Sequence, residues 1–239
     1  WLIVPLLFSV APIAIAVNSG LADLFATDNT GQKPTFLLFI KEQSPAWFVI
    51  SSMTFLLFLF DDFSRFLLHY AMHKLPWLWV FHQVHHSAQV LTPVTVYRTH
   101  PVESFLYATR LAIINGITIG IAVFLFDTNV QFADILGANI GVFIFNLLGA
   151  NLRHSHIRFS FGPKLEKWII SPAQHQIHHS DNVQHYDANF GTALAIWDRI
   201  FGTLLLDNQT EKNLTFGCGV NTHTLQEAYI EPFKRLFSK

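Results

Sequence analysis

The chain has 239 residues, 51% of them hydrophobic and only 13% charged. A soluble domain carries about 25% charged residues, so this composition, with a mean hydropathy of +0.35, is that of a membrane protein. A net charge of −1 without a basic run gives no support for nucleic-acid binding, and the single cysteine, Cys218, excludes an internal disulfide framework and four-cysteine zinc or iron–sulfur sites.

Leu2 to Val17 is almost wholly apolar, interrupted by Pro5, Ser9 and Pro12. It is short of the roughly 20 residues a span requires, and a chain that opens on Trp1 rather than Met reads as truncated or processed. Asn18 to Pro45 is polar and rich in turn formers, which predicts a loop. Ala46 to Leu68 is a second apolar segment, with Asp61, Asp62 and Arg65 in its last third. Phe105 to Phe126 is a third, and Gln131 to Ala150 a fourth, joined by a tight turn at Asp127-Thr128-Asn129. From Leu152 onward the chain is less apolar. Leu225, Ala228, Tyr229, Phe233, Leu236 and Phe237 recur at helical spacing across Pro232. The expectation is an all-α integral membrane protein, one domain over residues 1–239. About four transmembrane helices (2–17, 46–68, 105–126, 131–150) would carry a helical cap (69–104 and 151–239).

Thirteen histidines punctuate this pattern. Most fall in four clusters: His69-x3-His73, His82-x2-His85-His86, His154-x-His156 and His175-x2-His178-His179, with His100 and His185 nearby. The second span ends at His69, the third begins just after His100, and the hairpin returns the chain just before His154. All clusters therefore land on one face of the bilayer. Of the 15 lysines and arginines, only Lys33 and Lys41 fall on the other side, which makes the histidine face cytoplasmic.

On a helix, residues three and four apart share a face. Asp62, Arg65, His69 and His73 form one polar stripe, and a carboxylate at this spacing suits a group that orients a ligating imidazole. In each His-x2-His-His motif the first and third histidines share a face, while adjacent histidines diverge by about 100° and can serve different metals. One structural zinc needs about four ligands, so the count points to two metals. A single histidine is ordinarily filler; this repetition on one face is not. All-nitrogen ligation suits zinc, copper, iron or nickel. A zinc hydrolase with metal-bound water would leave most of the histidines idle. A metal transporter would place ligands midway through its spans, and the third and fourth spans hold none. A histidine-rich di-iron centre uses the surplus, and iron supplies the O2 chemistry that oxidises unactivated C–H bonds.

The segments HYAMH, HQVHH, RTHPVE, RHSHIRFSFG, SPAQHQIHH and ANFGTALAIWDRIFGTL, between Asp61 and Thr203, resemble the fatty acid hydroxylase/sterol desaturase superfamily of integral-membrane di-iron oxygenases. Where many relatives carry Asn, this chain has His156, and Phe190 stands where Tyr is frequent. The resemblance implies His69, His73, His82, His85, His86, His175, His178 and His179 as iron ligands, with His100 and His154 as the ninth and tenth. His156 and His185 stand as further ligand or supporting positions. Asp62, Glu103, Asn189 and Asp198 are implied to support the ligands. It also implies two iron ions, O2 as co-substrate and a lipid substrate that is hydroxylated, or desaturated in some members. The chain shows neither a haem-binding cytochrome b5-like segment nor a Rossmann glycine fingerprint. The expected electron donor is therefore a separate cytochrome b5-, ferredoxin- or reductase-like protein.

Overall fold

The structure is a computed structural model and describes residues 3–25, 39–40, 43–126, 130, 132–211, 213–220 and 222–237. The turn expected at Asp127-Thr128-Asn129, Lys33, Lys41 and most of the expected 18–45 loop lie outside the described residues. The long helices are α1 (Ile3–Leu24), α2 (Ala46–Lys74), α4 (Pro101–Phe126) and α5 (Phe132–Arg153). The short ones are α3 (Pro76–His86), α6 (Pro172–His178), α7 (Ile196–Phe201), α8 (Leu225–Tyr229) and α9 (Glu231–Phe237). Among the described residues no strand forms, only isolated bridges at Ile169–Leu194 and Ser180–Phe216. Among the described residues two helices, α2 and α4, are long and apolar enough to cross a membrane.

The elements differ from expectation at their ends. α1 continues through Asn18–Leu24, because a lone Gly20 without a following proline does not stop a helix. α2 runs six residues past Leu68, which makes His69 and His73 helical. α4 begins at Pro101, where proline's fixed φ suits a first helical turn. The C-terminal pattern is two helices rather than one. Thr224 caps α8 reciprocally with Glu227 (3.2 and 3.0 Å), and the chain breaks at Ile230 before Pro232.

The chain divides into two compact units, Trp1–Asp61 with Leu106–Phe145, and Asp62–Phe105 with Asn146–Lys239. In the first, Val49, Met53 and Leu57, spaced by four, make a stripe on α2 that packs with Ala122 and Phe126 of α4 and Ala138 and Val142 of α5. The outward residues, including Phe55 and Phe143, are as apolar as the inward ones, the pattern of helices solvated by lipid. Arg110 and Asp61 bury their charges against each other (Nη2–Oδ1 2.7 Å), and Arg110 also donates to the Asp61 carbonyl at 3.1 Å. α1 reaches α4 where Gly116 and Gly120 remove two side chains. A Cβ on Gly120 would come within 2.7 Å of the Ala14 carbonyl and Val17 Cβ. Gly120→Val is therefore expected to undock α1, at about 1–3 kcal/mol or more for an overpacked contact. Faster proteolysis within α1 in the folded variant would show it; unchanged protection would contradict the packing.

The second unit is built around α3 and α6, each started by a proline. Ser171 caps α6, accepting from Gln174 N–H (3.2 Å) while Gln174 Oε1 accepts from Ser171 N–H (2.9 Å). Fully buried Glu166 accepts from the hydroxyls of Ser160 (2.6 Å) and Ser171 (2.8 Å) and from Asp207 N–H (3.1 Å). Nothing in the sequence pattern singles out Glu166 or Gln174, yet together they set where α6 begins.

Candidate metal centre

All the histidines that converge belong to the second unit. Among the described residues two groups form: His69, His73, His82, His86 and His178, and His85, His154, His175 and His179. Within each group, one nitrogen from every ring lies within 4.8 Å of the others. α2 gives its four-spaced pair to the first group. α3 gives its pair, His82 and His86, to the first group and His85 to the second. α6 does the reverse: His175 and His179 go to the second group and His178 to the first. Adjacent histidines diverge as helical geometry requires, so each His-x2-His-His motif feeds both groups. The groups are neighbours: the His86 and His179 rings stack with centroids 4.3 Å apart.

The nitrogens fit metal ions better than they fit one another. In the second group His154 Nε2 lies 3.1 Å from His85 Nε2 and 3.0 Å from His175 Nε2, and His175 Nε2 lies 3.2 Å from His179 Nε2. A neutral imidazole nitrogen either donates or accepts, so these contacts cannot all be good hydrogen bonds. Nitrogens bound to one ion at about 2.0–2.1 Å would be spaced by roughly 3.0–3.4 Å. In the first group the Nε2 atoms of His73, His82, His86 and His178 are buried and without a hydrogen-bond partner, which is costly unless something binds there. Three rings are held by their other nitrogen. Nδ1–H of His69 donates to the Phe190 carbonyl (2.9 Å), that of His178 to the Ala188 carbonyl (2.8 Å), and that of His82 to Glu103 Oε1 (3.0 Å). Each such bond places the lone pair on Nε2, where a ligand is needed.

Burial, with the neighbouring imidazoles, holds His85, His86, His175 and His179 well below the usual histidine range; burial lowers His178 to about 3. The rings are neutral and ready to ligate at pH 7. The same shift makes the metal-free protein acid-labile. The unfolded chain takes protons near pH 6.5 and the folded one does not, so stability is complete above that value and falls as pH drops. Each such histidine removes about 1.4 kcal/mol per pH unit until its folded pKa is reached. Asp198, raised to about 6 by burial, works oppositely: its contribution is present below its unfolded value and lost as pH rises through 6. The five histidines outweigh Asp198. Thermal unfolding at decreasing pH is expected to show a steep fall in Tm beginning near pH 6.5; a flat profile down to about pH 5 would contradict it.

The other expected residues fall elsewhere. The structure does not bring His100 to either group: its Nδ1 accepts from Val102 N–H (3.1 Å) and its Nε2–H donates to the Tyr229 carbonyl (3.1 Å). The ring packs between Phe81 and Phe233 and so ties α8 and α9 to α3. Glu103, one turn on, is the member of that motif that meets a converging histidine. His156 is exposed. His185 is buried but outside both groups. Asp62 touches no histidine ring; it accepts from the N–H groups of Ala193 (2.8 Å), Leu194 (3.1 Å) and Trp197 Nε1 (2.9 Å). Asp198 accepts from Phe190 N–H and Gly191 N–H (both 2.8 Å) and Thr203 Oγ (2.6 Å). Asn189, at φ 58°, is pinned to Gln174 and Leu205. These three residues fix the loop whose Phe190 carbonyl holds His69. A cavity of about 400 Å3 opens beside the groups, lined by His73, His86, His178 and His179 and by Trp79, Ser180, Tyr186, Asp187, Gly217 and Cys218.

A family model described as fatty acid hydroxylase matches residues 54–203, more than half of the chain. An alkylglycerol monooxygenase of Danio rerio is 32% identical over 62% of this chain and 29% of its own length. The Homo sapiens alkylglycerol monooxygenase is 27% identical over 76% and 36%. The ornithine lipid hydroxylase OlsE of Rhizobium tropici is 28% identical over 59% and 38%. The chain thus spans about a third of the length of these relatives. No solved structure matches.

Proposed function

Since the chain belongs to the fatty acid hydroxylase family, we propose that it is a membrane-bound di-iron monooxygenase that hydroxylates an unactivated C–H bond of a lipid with O2 and electrons from a separate donor protein. The observation that carries this reading is the division of nine histidines into adjacent groups of five and four. His69, His73, His82, His86 and His178 would hold one iron, and His85, His154, His175 and His179 the other. The pair of irons would supply the O2 activation that side chains lack. The protein's own part is positional. Phe190, Ala188 and Glu103 hold protons at Nδ1 and keep Nε2 bare, and burial keeps the rings neutral. The relatives' names speak of an alkylglycerol and an ornithine lipid, and both support a polar lipid with a hydrocarbon chain as substrate. The apolar helices would form four spans of one family domain, with the histidine groups on the cytoplasmic side as the distribution of lysine and arginine supports.

The test is turnover of iron-loaded protein in lipid nanodiscs with a reductant and 18O2. The expected product is a lipid carrying one 18O in a new hydroxyl group, with none formed under anaerobic conditions. Metal-dependent hydrolysis without O2, or metal uptake into vesicles without lipid oxidation, would refute the reading.

A further inference from the structure

Ser180 and His185 belong to neither histidine group; Ser180 lines the cavity beside both groups, and His185 contacts that serine from a short turn whose other residues are exposed. Ser180 follows His179 directly. Its Oγ lies 3.0 Å from His185 Nδ1 and accepts from Asn182 N–H at 3.1 Å. A serine hydroxyl has one proton to donate and two lone pairs. The Asn182 amide, which can only donate, permanently occupies one lone pair. When His185 Nδ1 carries a proton it takes the second, and the hydroxyl proton is left for the cavity. When Nδ1 is bare, the hydroxyl turns back and donates to it. The pair therefore has two states that differ in the direction of one proton.

His185 is flanked by exposed residues. It is 4% exposed and ends the short 3-10 turn Val183–His185, whose other residues are exposed, as is Tyr186 that follows. Burial lowers its pKa, the Glu211 carboxylate raises it and Arg158 lowers it. Arg158 is itself tied to Asp207 (2.8 Å) and to the Glu211 carbonyl (2.8 Å), so its guanidinium is held in place. The ring lies outside both groups, and its Nδ1 is committed to Ser180.

We propose that Ser180 and His185 form the route by which protons enter the cavity next to the histidine groups. The proposal rests on the oxygenase reading, in which RH + O2 + 2e− + 2H+ gives ROH + H2O. The donor protein supplies the electrons, and both protons come from solvent. In each transfer a proton binds His185 Nε2. The Nδ1–H bond breaks as a new bond forms to Ser180 Oγ, and the original hydroxyl proton passes into the cavity. Tautomerisation of the imidazole, in which Nε2 returns a proton to solvent and Nδ1 takes one up, then resets the pair. Ser180 faces the reacting space; His185 acts through it.

The experiment uses the full chain in nanodiscs, loaded with iron, and compares wild type with Ser180→Ala, His185→Gln and His185→Gly. One measurement needs no turnover: hydrogen–deuterium exchange at the histidine C2 position, read residue by residue by mass spectrometry. His185 is expected to exchange with a rate that follows a titration lying below the ordinary histidine value, while the nine grouped histidines stay protected. Ser180→Ala and His185→Gln are expected to keep wild-type metal content and lipid KM, to form product at least about tenfold more slowly, and to release more of the consumed O2 as hydrogen peroxide. Added imidazole is expected to restore the rate of His185→Gly. The proposal is overturned if the variants turn over at the wild-type rate, if they slow only in proportion to lost metal, or if His185 exchange does not titrate. An iron-loaded wild type that oxidises no lipid refutes the oxygenase reading instead, and the exchange measurement still decides whether His185 takes protons from solvent.

Discussion

Replacing His154 with alanine is expected to lower bound iron from two equivalents toward one and to reduce lipid hydroxylation by at least about a hundredfold. The second group has four imidazoles, and His154 Nε2 sits between those of His85 and His175. Without it three nitrogens remain, and the loss should exceed the 10–100-fold that removing an outer hydrogen-bond partner costs a metal site. His73→Ala is the matched control. Its group keeps four imidazoles, so iron content should stay near two and activity fall less. Metal analysis of both purified variants checks this. Equal iron loss from the two, or full occupancy in His154→Ala, would show that the groups do not divide the metals as the geometry implies.

The second large effect is expected at Asp198. Both carboxylate oxygens face donors only: two backbone N–H groups and the Thr203 hydroxyl. Asn at this position would point an NH2 at an N–H, and a buried donor left unsatisfied costs about 1–3 kcal/mol. The strain falls on the Phe190–Gly191 turn, whose Phe190 carbonyl fixes the His69 ring. Asp198→Asn is therefore expected to lower Tm and to weaken metal binding by the five-histidine group about 10–100-fold, while the four-histidine group keeps its ion. If Tm falls but both metals are retained at wild-type affinity, Asp198 supports the fold without reaching the site.

The clustering of histidines is legible in the sequence because helical spacing alone decides which side chains share a face. That spacing pairs His82 with His86 and His175 with His179, and it sets His85 apart from His86. Where each motif points is not legible, since that depends on how α2, α3, α5 and α6 pack. His100 shows the limit. A histidine beside a proline and a glutamate, close to a histidine box, reads like a ligand, but its ring is consumed by Val102 and Tyr229, the latter 129 residues away. Asp62 shows another: its spacing from His69 suggests an orienting role, whereas its partners come from residues 193–197. Glu166 and Gln174 carry no signal, because a buried hydrogen-bond hub has no periodicity. The helix ends are obscured for local reasons, chiefly that polar residues such as Asn18 and His69 do not end a helix.

The exchange of histidines between α3 and α6 has a consequence for assembly. Each helix contributes a pair to one group and a single ring to the other, so neither can settle for one ion without also setting a donor for the next. The first ion to arrive has to order both helices; the second finds them ordered. In the intact protein uptake should accordingly be cooperative, with half-filled molecules under-represented during a titration, whereas a variant unable to hold one ion would keep the other more weakly. A cell making this protein would then hold mostly complete or empty copies, and few with a lone iron exposed to O2 without its partner.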